Sequence, residues 1–337
     1  EWGWLPRWEL YGRETFTMEG DPAIPVIVDS YLKGLRDFDI EAAYEAMKRS
    51  ATTPGKDNAI RRDIDPYVER GYIPVGLFAQ DMSGDNSVSH ALEYYVADNA
   101  LAAFARELGD EELAVEMEKR AAGWRNYYSK ADGAMRPIGA DGRYIGEFDP
   151  AAGANFSNTI GFHEGSSWNY TFFVPHDIEG LMKAMGGSKQ FVKKLQWVFD
   201  NGHYDPTNEP DIAYPYIFSR VRGEEWRTQR TVKELLEANY TTTPDGLPGN
   251  DDTGTMSTWA VFSMLGIYPD CPGEPYYTIT TPRFERAEID TPHGTIVITT
   301  EGKGDYIKDI RLGGKSVGYR ISHADLVKAK ELKLKLK

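Results

Sequence analysis

The 337-residue chain has one cysteine, Cys271. That excludes an intrachain disulfide framework and any thiolate metal cage, and the lone thiol reads as an ordinary buried one. Positive charge is in deficit, with 38 Lys and Arg against 52 Asp and Glu and a formal charge of -14. Such a surface repels phosphate backbones and anionic bilayers, so neither nucleic acid nor membrane is an expected partner. No apolar run approaches the length that spans a bilayer, and no basic-plus-hydrophobic leader opens the chain. A Ser-His-Asp arrangement, a Gly-rich phosphate loop and a nucleotide fingerprint are also missing.

What is there can bury a large core. Hydrophobic residues make up 41% of the chain and aromatics 12%, with 8 Trp and 20 Tyr, several of them in segments that otherwise read as loops. Aromatic loops suit the C–H faces of sugars, although large cores need such residues too.

Asp21-Pro22 offers an N-cap and a proline at the first helical position, and Ile24, Ile27, Val28, Tyr31, Leu32, Leu35 and Phe38 follow at helical spacing. Asp39 can cap a second helix with Ile40, Ala43, Tyr44 and Met47 inward. Residues 89–108 read as a third helix ending at Gly109, and Asp110 opens a fourth carrying Leu113, Met117, Ala121, Trp124 and Tyr128. Further helices are expected over 178–185, 188–199, around 232–236 and over 255–265, with a weaker one at 212–221. This makes about nine, largely in antiparallel pairs.

The connections 51–88, 129–176, 200–211 and 240–254 lack helical periodicity and are rich in Gly, Pro, Asp and Asn. In a ring of helical hairpins such loops collect on one face, where function resides. From residue 270 to 337 the texture changes to period-two alternation, notably 276–281, 295–300 and the closing Glu331-Leu-Lys-Leu-Lys-Leu-Lys. This predicts a small β appendage whose last strand pairs with an edge elsewhere. A closed ring of six hairpins needs twelve helices, and the chain opens abruptly at Glu1-Trp-Gly-Trp, so an N-terminal portion is expected to be missing.

Three loop segments carry acids beside Gly, Pro or aromatics. In FHEGSSWNYTFFVPHD, Glu164 lies between His163 and Gly165, four residues before Trp168. Packed against Phe162 and Trp168, its carboxyl would be partly desolvated and kept protonated for use as a general acid. A merely solvated loop glutamate has the same local sequence. In TNEPDIAYPY, Asn208, Glu209 and Asp211 are oxygen donors of the kind calcium accepts, yet residues of these types before a helix are usually caps. In GLPGNDDTGTMSTW, Asn250, Asp251 and Asp252 precede the last helix, whose positive end keeps a carboxylate ionised and fit to act as a general base. At least one of these three is expected to be only the cap. Two carboxyls of opposite protonation state around one pocket point to glycoside hydrolysis, which has two proton tasks.

The motifs are more specific than their residue types. GLPGNDDTGTMSTWAVFSMLGIYPDCPG resembles the GNED-G-MSAW-VFSALGFYP signature of glycoside hydrolase family 92, HEGSSWNYTFFVPHD is similar to that family's EGNAW-YTWFVPHD, and TNEPDIAYPYIF to its GNEP-HH-PYLY. GWLPRWEL, TMEGDPAIPVIVDSYLKGLRDFD and SHALEYYVADNALAAFARELG resemble further family blocks in the same order, so the likeness runs from residue 1 to about 300. The resemblance implies a mainly α, (α/α)6 toroidal catalytic domain over 1–269, incomplete at its N-terminal side, with the small β region of 270–337 after it. It implies exo-action on α-mannosides with inversion and a calcium ion gripping the hydroxyls of the terminal mannose. Carried over by motif, Glu164 is the general acid and Asp252 the general base. Asn208 and Glu209 lie by the metal and the sugar, and Trp168, His163, Asn250 and Asp251 complete the substrate-binding set.

The expected partner is a mannose-containing oligosaccharide or glycan, which favours a secreted, periplasmic or cell-surface protein. The enzyme implied is α-1,2-mannosidase-like, but members that cut that linkage have a His-Glu pair where this chain has Asn208-Glu209, and Ile212-Ala213 replace the usual histidines, so the linkage stays open. The family's N-terminal β-sandwich is not in this chain. A non-catalytic sugar-binding or inactive fragment is therefore the rival reading, and a phosphorolytic toroid enzyme a more distant one.

Overall fold

The computed structural model describes residues 3–77, 79–81, 84–157 and 159–337. Of the abrupt opening Glu1-Trp-Gly-Trp, Glu1 and Trp2 lie outside the described residues, as do parts of the connection 51–88 and Asn158 of the connection 129–176. Twelve α-helices are present among the described residues, and the chain divides into two compact units.

The first unit comprises residues 1–191, 197–204 and 272–274. Its helices are α1 (Ala23–Leu32), α2 (Ile40–Thr52), α3 (Ile64–Arg70), α4 (Ser87–Glu107), α5 (Glu111–Ala121), α6 (Ser167–Thr171) and α7 (Ile178–Ala184), and α8 (Ser188–Asp200) has residues assigned to each unit. Three short ribbons accompany them: β1 (Glu9–Leu10) with β2 (Arg13–Glu14), β3 (Ala79–Asp81) with β4 (Gly84–Asp85), and β5 (Tyr128–Ser129) with β6 (Ala134–Met135). Helix α4 is buried on nearly every side, as a central helix must be. Ile24, Val28, Met47, Leu101, Phe104 and Met117 from α1, α2, α4 and α5 share one core.

Asp39 and Asp110 cap α2 and α5 as expected, accepting from Ala42 N at 3.0 Å and Leu113 N at 3.1 Å. Gly109 adopts φ +83 after α4.

Two expectations for α1 are corrected. The helix stops at Leu32, with Gly34 at φ +90, so Leu35 and Phe38 lie beyond it and are exposed. Asp21 does not cap it. Its buried carboxylate pairs instead with Arg61 Nε at 2.8 Å and accepts from Ser50 Oγ, while Arg61 Nη1 reaches Asp98 at 2.6 Å and Tyr67 donates to Asp98 at 2.8 Å. A fully buried guanidinium between two carboxylates is tolerable because each charge is matched and hydrogen-bonded.

The second unit comprises residues 192–196, 205–271 and 275–337. It contains α9 (Tyr214–Ile217), α10 (Glu225–Asn239), α11 (Thr255–Leu265) and α12 (His323–Ala329). A three-stranded antiparallel sheet has the order β13 (Arg320–Ser322), β8 (Tyr276–Ile279), β7 (Ile267–Tyr268). A five-stranded sheet has the order β12 (Lys315–Ser316), β11 (Ile307–Leu312), β14 (Glu331–Leu336), β10 (Gly294–Glu301), β9 (Arg286–Thr291).

The closing strand differs from expectation in its place. β14 lies in the interior of its sheet, parallel to β10 and antiparallel to β11, so it has no free edge to offer. Its period-two pattern explains why: Leu332 and Leu334 face the core while Lys333 and Lys335 face solvent. Gln229 of α10 accepts from Ile307 N at 2.6 Å, tying that helix to β11.

Candidate active site

In the first unit, the loop carrying Glu164 is built against the start of α4. The Gly161 carbonyl accepts from Val88 N at 2.9 Å and Ser89 N at 3.1 Å, filling two of the donors that a helix start leaves open. Phe162 is fully buried. His163 N then donates to Ser89 Oγ at 3.0 Å, and the Tyr170 hydroxyl donates to the His163 carbonyl at 2.6 Å. After Glu164 and Gly165 the chain enters α6 through a capping box between Ser166 and Asn169. Gly165 has the backbone of Gly153 against it so closely that a Cβ at 153 would overlap its carbonyl.

Between these anchors Glu164 adopts φ +43. A left-handed backbone costs an L-residue roughly 1–2 kcal/mol, and it persists only where the surroundings over-determine it. The side chain is half-buried. Burial first, then the charge of Glu19, push the Tyr170 phenol well above its ordinary range, with Glu93 and Glu164 adding to the effect. Three carboxyls of the first unit therefore lie within electrostatic reach of one hydroxyl. Trp168 is buried, its ring edge-on to Trp197 at 5.0 Å and tilted against His203 at 5.9 Å. His163 is buried too, its ring between Glu19 and Met18.

The second unit brings the other two acidic segments together. Gly249 lies against Thr207, so close that a Cβ would overlap the Thr207 carbonyl. The turn holding Asn250, Asp251 and Asp252 thus starts beside the turn holding Asn208 and Glu209. Asp205 shapes the latter by accepting from Thr207 N at 2.8 Å and Thr207 Oγ1 at 2.6 Å, and Asp211 accepts from Asp205 N at 2.9 Å. Asn208 is buried and Glu209 half-buried.

Gly254 takes the N-cap position of α11, so none of Asn250, Asp251 and Asp252 is its N-cap, and Asp251 braces the helix start from farther back. Its Oδ1 accepts from Ser257 N at 2.8 Å, both its oxygens accept from Ser257 Oγ at 2.9 Å, and its carbonyl accepts from Thr255 N at 2.6 Å. Burial, then the Asp251 charge, raise the Tyr240 pKa.

Asp252 is different. It lies in a run of three left-handed residues, Asp252 at φ +34, Thr253 at +63 and Gly254 at +92. Its side chain is exposed, and its carboxylate makes no hydrogen bond or ion pair among the described residues. Asn250 is exposed as well. The Asp252 carboxylate is open to water beside a helix start.

No group of three or more His, Cys, Asp or Glu side chains is arranged to hold a metal among the described residues. Asn208 and Glu209 still offer hard oxygen donors of the kind calcium takes, and calcium fills much of its shell with amide, carbonyl, water or sugar oxygens. The donor chemistry therefore fits, with few acidic ligands.

Sequence reasoning did not single out Glu19, His90 or Glu93. Their signal was faint: His90 and Glu93 fall about one turn apart on α4, and Glu19 lies far away in sequence.

The sequence pattern of the glycosyl hydrolase family 92 catalytic domain matches residues 1–337. A solved family GH92 α-mannosidase from Bacteroides thetaiotaomicron, in complex with mannoimidazole, superposes with a TM-score of 0.89 at 29% identity, covering 98% of this chain and 45% of that one. A family GH92 inverting mannosidase from the same organism gives a TM-score of 0.88 at 28% identity, over 99% of this chain and 48% of that one. A curated protein of Arthroderma benhamiae, described as an uncharacterized secreted glycosidase, is 28% identical over 96% of this chain and 44% of its own length. The chain thus spans less than half the length of these relatives. With the pattern matched along its whole length and its helix-rich fold with a small β region shared with family mannosidases, the chain belongs to glycosyl hydrolase family 92.

Proposed function

We propose that the protein containing this chain hydrolyses terminal α-linked mannose from mannosides or glycans with inversion, with Glu164 as general acid and Asp252 as general base. The observation that carries the assignment is backbone strain placed on the two acids themselves: both Glu164 and Asp252 occupy left-handed conformations that glycine would adopt without cost. Six other non-glycine residues among those described share positive φ, and it is the coincidence of strain with the two motif acids that supports the assignment. Family membership, and the mannosidases among its similar structures, support mannose as the sugar.

In this reading Glu164 gives its proton to the departing glycosidic oxygen. Asp252 takes one from a water that attacks the anomeric carbon from the opposite face, so a single displacement inverts the configuration. Asp251, engaged with Ser257, holds the helix start and leaves Asp252 as the base. A calcium ion held by Asn208 and Glu209 would bind adjacent sugar hydroxyls and favour a flattened ring.

The (α/α)6 toroid and a complementing N-terminal domain belong to the same proposal, as does action outside the cytoplasm. The last is supported by the glycan substrate and by the secreted relative. No helix is long and apolar enough to cross a membrane among the described residues.

The test is to follow mannoside hydrolysis by proton NMR in the full-length protein. β-Mannose should appear first and α-mannose only by mutarotation. Chelator should stop the reaction and calcium restore it. α-Mannose as first product, or turnover indifferent to chelator, refutes inversion or the metal respectively.

A further inference from the structure

Behind the Glu164 turn, in the first unit, runs a chain of buried ionisable groups that takes no part in the proton transfers of the proposed mechanism. His163 Nδ1 lies 3.3 Å from one Glu19 oxygen, and the other Glu19 oxygen lies 2.8 Å from His90 Nε2. His90 Nδ1 lies 3.3 Å from Asp63 Oδ2, and the Tyr94 hydroxyl donates to Asp63 Oδ1 at 2.8 Å. None of the Glu19, His90, Asp63 and His163 side chains is more than 8% exposed. Buried charges survive only when matched.

Burial works against the His90 imidazolium, but Glu19 and then Asp63 outweigh it and push its pKa up to about 9. At neutral pH a cation therefore stands between two carboxylates. Burial and then the Glu19 charge push neighbouring Glu93 up to about 7, against His90 and Arg7.

His163 is thereby gripped at every polar point. Ser89 takes its N–H, Tyr170 its carbonyl, Glu19 one ring nitrogen, and Met18 Sδ lies 3.2 Å from the other. The next residue is Glu164 in its left-handed conformation. Ser89 and Tyr170 hold the peptide, and Glu19 and Met18 contact the ring, which bears on the direction in which residue 163 enters the strained turn.

We propose that Glu19 is a positioning residue for Glu164, holding it in its left-handed turn by clamping the His163 ring from the far side. The proposal rests on the reading of Glu164 as the general acid. His90 Nε2 lies against the other Glu19 oxygen at 2.8 Å and holds that side chain from behind. The clamp acts on orientation, so its loss should cost proton delivery and not sugar affinity.

The test uses Glu19→Gln in the full-length protein, a change that keeps shape and removes charge. On a mannose disaccharide, whose leaving group needs the proton, kcat should fall about tenfold, the scale of releasing one left-handed residue, with KM unchanged within about twofold. On a dinitrophenyl α-mannoside, whose leaving group departs unprotonated, kcat should barely change. A crystal structure of Glu19→Gln should show Glu164 relaxed from positive φ. Equal losses on both substrates, a rise in KM alone, or a Glu164 that keeps its conformation overturns the proposal. If the wild type cleaves no mannoside, the proposed function fails by itself, and the Glu164 backbone in Glu19→Gln still decides for or against the clamp.

Discussion

Strain at the acid can be measured without any substrate. Three replacements of Glu164 remove the carboxyl, and with it whatever that group contributes to the fold, so they differ from one another only in how they tolerate φ +43. Alanine keeps the full left-handed cost of roughly 1–2 kcal/mol. Asparagine visits this region readily. Glycine has no steric cost there but returns about 0.5–1 kcal/mol through its greater freedom in the unfolded chain. Glu164→Asn should therefore be about 1 kcal/mol more stable than Glu164→Ala, with Glu164→Gly between them or level with Asn. Reversible urea denaturation, with equal m-values as the check on a common unfolded state, reads these differences. If Glu164→Ala equals or exceeds the other two, the turn is not strained and the argument from strain to function collapses. The same series at Asp252, φ +34, should give the same order.

Other outcomes follow from the packing and the charges. Arg61→Ala leaves Asp21 and Asp98 buried without their cation and should cost about 3–5 kcal/mol in urea denaturation; a loss under 1 kcal/mol would show that the pairs contribute little. Gly249→Ala forces Thr207 away and should lower activity while leaving the circular dichroism helical signal unchanged; full activity would mean that the two turns need not touch. Stability should decline as pH rises from about 4.5 to 9. Glu93, with its folded pKa raised to about 7, holds a proton that the unfolded chain has lost from about pH 4.5 upward, and His90, raised to about 9, does the same above about 6.5. Glu93→Gln should flatten the lower part of that decline and His90→Gln the upper part, and an unchanged slope in either variant refutes the assignment.

Much of the helical frame was legible because its signals are local. Asp39 and Asp110 cap where their side chains can reach the first turn, and glycine ends α4 and α11 at Gly109 and Gly266. All nine expected helices are present, but the one opened by Asp110 stops at Ala121, so Trp124 falls in a following 3-10 turn and Tyr128 in β5 and not on the helix as expected. The three that were not foreseen, α3, α6 and α12, are seven residues or shorter, too brief for periodicity to show. The closing strand was legible as a strand but not as an interior one, since pairing partners lie far off in sequence. Asp21 shows the same limit: its local context says cap, and a distant Arg61 takes it instead.

At the candidate site, the family motifs pointed to Glu164 and Asp252, and both stand in left-handed turns; the expectation that one of Asn250, Asp251 and Asp252 is the N-cap of α11 is not met, because Gly254 takes that position and Asp251 bonds Ser257 from farther back. The Glu19–His90 chain behind Glu164 was illegible because its members come from segments some 70 residues apart, joined only by folding.

The most direct test of the central claim compares Glu164→Gln and Asp252→Asn in the full-length protein on two mannosides, one with a natural sugar aglycone and one with an activated aryl group. If the two carboxyls divide the proton work as proposed, Glu164→Gln loses the natural substrate but keeps much of its rate on the aryl mannoside, while Asp252→Asn loses both. Equal impairment of the two substrates by Glu164→Gln, or an Asp252→Asn variant that still turns over either one at near wild-type rate, contradicts it.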